Sequence, residues 1–533
     1  MLHRLRPAIL CLALLCVLPS FAQKKFLRHF SIASTASTSP LPPSNSISQI
    51  KIQDSFIWIG TSRGLAKSGN GGRSWDAYKS DPAFVTNGIF AVDVSSDTVW
   101  SATGYDKEIT DGTVQTGSGY ARSTDAGTTW SHFNQTLDQR GDSILSYGIN
   151  DSLWVLPVTV PEQNVTFDIS LSPGAVWIAS WASGLRKSTN QGQKWERTAL
   201  PPDNQNTINP TDTLWTYGPS DSLHLHRIYP RFDPRRNNNF LAFSVHTIGK
   251  DTIWCGTAGG VNRSTDGGSS WVKFNHRNQP AGILGNWVIA INHQQYHGKL
   301  RIWTTNWTTT DPDEEYGVSY TDDGGRTWTN LLHGVKAYDF AFKDSIVYIA
   351  TDDGVYRSDD GGAAFVRFSN MTDPADRQII ASSQVFSVGV VQDTVFVGTG
   401  DGLAGTIDNG SNPFGSSWKI LRSFQSISKA GQSYAYPNPF SANFGPVRIH
   451  FLVDSQTGVS STPPSVTIDL FDYGMNRVRS LIHDAPREPN KEFDELWDGR
   501  NDDGRVVANG VYFYRITISG GDEASFGKIL VIQ

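Results

Sequence analysis

Short apolar runs recur along the chain, each closed by a turn. "FIWIGT" from Phe56, "TVWSAT" from Thr98, "AVWIAS" from Ala175, "TIWCGT" from Thr252, "RIWTTN" from Arg301, "IVYIAT" from Ile346 and "TVFVGT" from Thr394 are rich in β-branched and aromatic residues. Runs this short between Gly, Asp and Ser predict strands rather than helices. An alternating apolar stretch and an Asp-containing turn precede each run. A small-residue turn, another strand and a polar hairpin follow it. The hairpin reads S/T-x-D/N-x-G-x-x-W, as in "RSTDGGSSW" ending at Trp271. Its first residue falls at Ser68, Ser123, Ser188, Ser264, Thr321, Ser358 and Thr406, at intervals of 37 to 76 residues. The shortest interval holds little more than four short strands, which is the content of a propeller blade. Seven copies predict an all-β chain built on a seven-bladed β-propeller over residues 46–428.

The acidic or amide position of the hairpin is occupied by Asn70, Asp125, Asn190, Asp266, Asp323, Asp360 and Asp408. A side-chain oxygen there accepts backbone N–H groups of its own turn. The following glycine, Gly268 in the fourth copy, supplies positive φ without a Cβ clash. Asn keeps the acceptor oxygen but cannot act as a carboxylate base. A position that tolerates both holds a turn and moves no proton, so these residues are expected to be structural and no catalytic residue is assigned.

The hairpin resembles the Asp-box, or BNR repeat, of sialidases, sortilin-type receptors, xyloglucanases and photosystem assembly-factor-like proteins. The "IWIGT…GL" half is also similar to the repeat of sensor-kinase periplasmic propellers. The resemblance covers residues 46–425. It implies the propeller fold but not one function, because such boxes occur in enzymes and binders alike.

If strands run A to D outward, the box is the C–D hairpin and shares one face with the A–B turns. The B–C and D–A connections, which vary in length, form the opposite face, where function is expected. Enlarged connections carry Asp106, Glu108, Asp111, Trp181, Trp215, Trp307, Asp311, Asp313, Glu314 and Glu315. Exposed Trp rings stack on sugars, and two carboxylates across a cleft would hydrolyse a glycosidic bond. Solvated acids and core-covering Trp rings are the competing expectation. "RIYPRFDPRR" from Arg227 contains four arginines, but Tyr229 interrupts the sialidase Arg-Ile-Pro pattern it faintly resembles. His224 and His226 alternate as on a strand, with nothing nearby to complete a metal site. "DPDEE" lacks calcium-loop spacing. No metal or cofactor is expected.

Net charge −6, with no basic patch, argues against nucleic acid as a partner. Residues 1–22 read as a signal peptide, with Arg4 and Arg6 before an apolar run and Ala22 at the cleavage site. Cys11 and Cys16 fall inside it, which leaves Cys255 alone and predicts no intramolecular disulfide in the mature chain. Residues 23–45, Ser/Pro-rich in their second half, are expected to be a linker.

The boxes stop near Ala430. "AYPNPF", "VRIHFLV", "SVTIDLFD" and "GVYFYRITI" then alternate as strands of a small sandwich over residues 429–533. This tail resembles the Ig-like domain of flagellar hook-capping proteins and the C-terminal sorting domains of type IX secretion cargo. The "YPNPF" start, the "WDG" turn, the "GVYFY" strand and the terminal Lys-apolar strand carry the likeness. It implies export through the periplasm to the cell surface or medium, with secretion machinery as a partner and the outer-membrane surface as a resting place. The expected function is non-catalytic binding of a glycan or protein through the loop-rich face. A secreted glycoside hydrolase of xyloglucanase or sialidase type is the alternative, and an adhesion component without a small ligand is a third.

Overall fold

The computed structural model describes residues 32–33, 36–79, 81–86, 88–110, 112–212, 232–375, 378–380, 383–423, 432–436, 438–442, 446–453, 463–489, 491–519 and 524–532. The expected signal peptide lies outside them.

Each apolar run forms a strand whose two faces are both covered. In Phe56–Thr61 all but the first residue are buried. This is why the runs are continuously apolar instead of alternating. Each is the B strand of an antiparallel sheet made from four consecutive strands. The first sheet is Ile47–Gln53, Phe56–Thr61, Gly64–Ser68 and Trp75–Ala77. The same order gives six further sheets among the described residues, with A strands Gly88–Ser95, Thr166–Ser172, Ala242–Ile248, Trp287–Tyr296, Ala337–Lys343 and Val385–Val391. Each A strand packs against the next, and that of the seventh sheet packs against that of the first, so the ring closes. The chain is an all-β propeller. Among the described residues no strand is exchanged at closure, since Val385–Val391 to Lys419–Leu421 supply the last sheet alone.

Part of the expected linker is structured. Ser37–Ser39 adds a fifth strand outside Trp75–Ala77, and Ile32–Ala33 does the same at Thr129–Phe133. The Ser/Thr composition suits the polar edge of a sheet as well as it suits a linker.

The box forms the C–D hairpin and is tied to the A–B turn of its own sheet, as in Gly267 N–H to Asp251 O at 2.9 Å and Gly361 N–H to Ser345 O at 3.0 Å. In six copies the Ser or Thr hydroxyl donates to the acid or amide oxygen at 2.7–3.0 Å. The same hydroxyl accepts the glycine N–H at 2.8–2.9 Å. The acid or amide oxygen then accepts the N–H four residues on at 2.8–3.1 Å. Asn70 and Asn190 make these bonds as the aspartates do. The seventh copy differs. Asp408 is buried and turns to the sixth sheet, where the Arg357 Nε donates to it at 2.7 Å and the Tyr348 hydroxyl also donates. The residues inserted before Trp418 open that hairpin, and Thr406 Oγ1 donates to Ser417 O instead.

The box also joins neighbouring sheets. Its glycine has φ between 82° and 99° in six copies, and in the seventh Gly415, beyond the insertion, has φ 76°. A Cβ there would meet an aromatic ring of the preceding sheet: Trp58 for Gly127, Trp100 for Gly192, Trp177 for Gly268, Trp303 for Gly362. The ring closes in the same way, with Phe396 of the seventh sheet against Gly72 of the first. At these five joints the B-strand aromatic is a wedge and the box glycine its socket; at Gly325 the ring is Phe274, from a D strand. Burying one large apolar side chain contributes about 1.5–3 kcal/mol.

After the ring, Ser433–Tyr436, Val447–Val453 and Lys491–Trp497 form one sheet, and Arg477–Pro486, Ser465–Phe471, Gly510–Ile518 and Ser525–Val531 form another. Both feed one core containing Ile449, Phe451, Ile468, Trp497 and Tyr514. Asn501 Oδ1 accepts the Asp503 and Arg505 N–H groups, a turn role for this acidic loop. Arg448 of this unit donates to Asp401, in the B–C turn of the seventh sheet, and to Ile379 O at 2.8 Å. Arg422 joins Asp401 at 3.2 Å. The tail therefore docks on the loop-rich side of the ring. Among the described residues no helix is long and apolar enough to cross a membrane.

Candidate functional site

Every A strand carries a register shift near its start, between Ile47/Gln49, Ile89/Ala91, Thr166/Asp168, Ala242/Ser244, Val288/Ile291, Ala337/Asp339 and Val385/Ser387. A bulge re-aims the extra residue. Here those residues include Phe90, Phe167, Phe243, Tyr338 and Phe386, and all five line a central channel of about 780 Å³. Neighbouring rings meet with centroids 6.4 Å apart for Phe90–Phe167, 6.0 Å for Phe167–Phe243 and 5.9 Å for Tyr338–Phe386. A strands begin on the B–C and D–A side, so this aromatic collar opens on the loop-rich face. A second tier extends it: Trp181 and Trp287 pack on Phe243 at 5.0 and 5.5 Å, and Trp307 on Tyr338 at 5.3 Å. The long hairpin Thr98–Ile109 and Gly112–Ser123 leans over Trp181 and Trp287 to enclose a side pocket of about 340 Å³.

Below the collar lies a polar layer. Asp93 accepts the Leu171 N–H at 2.7 Å, Asp168 the Val245 N–H at 2.9 Å and Asp339 the Val388 N–H at 3.2 Å. Each acid thereby fastens its own A strand to the next. Gln49 does the same to Val92 N–H, while Ser244 and Asn292 donate to Val288 O and Phe340 O. Burial pushes the carboxyls of Asp168 and Asp339 up to about 6 and that of Asp93 upward, and the Lys51 ammonium offsets part of this. For Lys51 burial works against the charge, but the attraction of the three carboxylates outweighs it and raises its pKa. His246 bonds His293 at 2.7 Å, and burial with the neighbouring ring pushes His246 down to about 3, so it stays neutral.

Of the loop residues singled out from sequence, Trp181 and Trp307 reach the channel mouth. The acids do not converge there. Asp106 and Glu108 are exposed on the long hairpin. Asp311 and Asp313 both pair with Arg277, which holds the Asp311 carboxyl down to about 2. Glu314 is buried and accepts from Asn286 and the Thr309 N–H. Glu315 pairs with His333 at 2.8 Å. Asp111, Trp215, His224, His226 and residues 227–231 lie outside the described residues; Arg235 of the same stretch pairs with Asp233 at 2.8 Å. Partial burial would raise the box acids, but the bonds from their turns prevail and hold Asp125 and Asp266 low and Asp323 at about 2. Among the described residues no group of His, Cys, Asp or Glu is placed to hold a metal. The collar and the acids beneath it were not singled out from sequence. Their signal is an aromatic followed directly by a polar residue, eight or nine positions before four of the seven apolar runs: Phe167-Asp168, Phe243-Ser244, Tyr338-Asp339 and Phe386-Ser387.

No family model matches the chain. Over 120 residues it is 28% identical to a xyloglucanase of a Paenibacillus species; the match spans 22% of this chain and 10% of that relative's length. Ycf48 of Cyanidioschyzon merolae is a similar solved structure, at 17% identity and a TM-score of 0.41 over 69% of this chain and 97% of that one. PorZ, a surface component of the type IX secretion system of Porphyromonas gingivalis, aligns at 13% identity and 0.31 over 92% and 66%. An ancestral GH74 enzyme aligns at 13% identity and 0.29 over 93% and 78%. With TM-scores below 0.5, these likenesses say nothing about site or ligand.

Proposed function

We propose that this is an exported binding protein that takes its ligand, without turnover, in the mouth of the central channel on the loop-rich face. The observation that carries this is the two-tiered aromatic collar, set by one bulge in strand after strand around a channel of about 780 Å³. Apolar walls with a few converging polar groups are the usual form of a ligand site. The acids beneath support binding rather than hydrolysis. Asp168 and Asp339 each accept backbone N–H groups on both oxygens, Ile169 and Val245 for one, Phe340 and Val388 for the other. An acid so engaged is a poor nucleophile. The test is a glycan array and a peptide array run beside a panel of chromogenic glycosides. Binding weakened by Trp181→Ala, with no turnover, is the expected result.

The glycoside hydrolase reading is favoured by the short xyloglucanase match and by two carboxyl groups near 6 in an aromatic channel. Turnover lost in Asp168→Asn or Asp339→Asn would establish it and end the binding reading. Export is proposed from residues 1–22 and from the tail motifs. Removing the chain after residue 432 is expected to trap the ring in the periplasm; unchanged delivery to the medium or surface would refute a sorting role.

A further inference from the structure

We infer that the channel beneath the collar accepts a lysine or arginine side chain presented by an extended peptide of a partner protein. This rests on the binding reading above and narrows it. The polar layer holds more negative charge than its structural task requires. Gln49, Ser244 and Asn292 fasten their joints with neutral groups, yet Asp93, Asp168 and Asp339 fasten theirs with carboxylates. Against these three stands one ammonium, Lys51, and the neutral His246 adds none. Uncompensated charge away from bulk water is costly, and an incoming cation removes that cost.

Lys51 itself supplies a second constraint. It acts on the three carboxylates through space, with no hydrogen bond to any of them, and it faces the channel. Its donors therefore suit the carbonyl oxygens of a peptide whose cation lies against the acids. The collar supplies the third. Aromatic faces pack on an aliphatic stem and attract the cation it carries. The mouth already holds one such pair, with Lys336 Nζ 3.9 Å from the centre of the Trp307 ring. An acidic sugar would be repelled by the same layer, and a neutral one would leave its charge uncompensated.

The test titrates the full chain with Gly/Ser hexapeptides carrying one central Lys, Arg or acetyl-Lys, with spermidine, and with neutral oligosaccharides. Calorimetry and the fluorescence of the mouth tryptophans report binding. Lys and Arg peptides are expected to bind at least about tenfold tighter than the acetyl-Lys peptide, which is a 1.4 kcal/mol difference. Asp168→Asn with Asp339→Asn keeps a fastening oxygen at each joint and is expected to erase that preference; a thermal melt no lower than that of the unaltered chain shows that the ring is intact. Equal binding of Lys and acetyl-Lys peptides overturns the inference on the unaltered chain. Spermidine binding as tightly as the peptides overturns the peptide as its source. Oligosaccharide binding alone, weakened by Trp181→Ala, refutes the cation while leaving the channel as the binding site. Binding of no probe that depends on Trp181 refutes both.

Discussion

Gly267 and Gly268 are adjacent in one box, both with positive φ, 73° and 91°. They differ in surroundings. A Cβ on Gly267 would find only Asp251 Oδ1, at 3.7 Å, whereas one on Gly268 would lie 2.5 Å from the Trp177 ring of the preceding sheet. Alanine at either site pays for a left-handed backbone, roughly 1–2 kcal/mol. At Gly268 it also drives a methyl group into a packed ring, at a cost of typically 1–3 kcal/mol. Gly267→Ala is therefore expected to cost about 1–2 kcal/mol, and Gly268→Ala about 2–5 kcal/mol. Urea unfolding followed by tryptophan fluorescence measures both, and Trp177 is itself a reporter at the joint. Gly192→Ala, against Trp100 at 2.2 Å, repeats the comparison between the second and third sheets. Equal destabilisation by Gly267→Ala and Gly268→Ala would refute the box glycine as a socket between sheets and reduce it to a turn residue.

The carboxyls of Asp168 and Asp339 lie near 6, above the value of about 3.9 for an unfolded Asp. The native chain thus binds more protons between those values, and its stability falls as pH rises from about 4 to about 6. Asp168→Asn is expected to flatten that slope and to stabilise the chain above pH 7 by up to about 3 kcal/mol; urea midpoints at several pH values parallel to those of the unaltered chain would contradict it. At the junction with the tail, Asp401→Ala strands Arg422 and Arg448, whose side chains are 1% and 4% exposed. A loss of about 3–5 kcal/mol is expected, visible in calorimetry as a separate, earlier transition for the tail; a single unshifted transition would show that the ion cluster does not couple the two.

The repeats were legible because each copy carries its own local chemistry. Ser264, Asp266, Gly268 and Trp271 are within eight residues of one another, and their spacing dictates their bonds. The B strands were legible because two covered faces leave few polar positions beyond the closing Thr or Ser. The channel was not. Phe167 and Asp168 are adjacent, and alternation alone sends adjacent residues to opposite faces. A bulge breaks that rule, and nothing in one strand announces it. The loop acids misled for a different reason. Arg277, which binds Asp311 and Asp313, lies more than thirty residues before them and looks like any surface arginine. Asp408 looked like its six counterparts, yet the inserted residues before Trp418 turned it towards Arg357.

The ring has one joint unlike the others. Six neighbouring pairs of A strands are sewn by a side chain to the next backbone, and chain runs directly from one sheet to the next. Between the seventh sheet and the first there is no covalent continuity, and Ser387, at the position where Ser244 reaches across, has a buried hydroxyl with no partner. Asn45 bridges there to Gly402 and Ser423, and Phe396 seats on Gly72; among the described residues the rest is packing. Under tension or denaturant the circle is expected to open here first, as a clasped bracelet does and a seamless hoop does not.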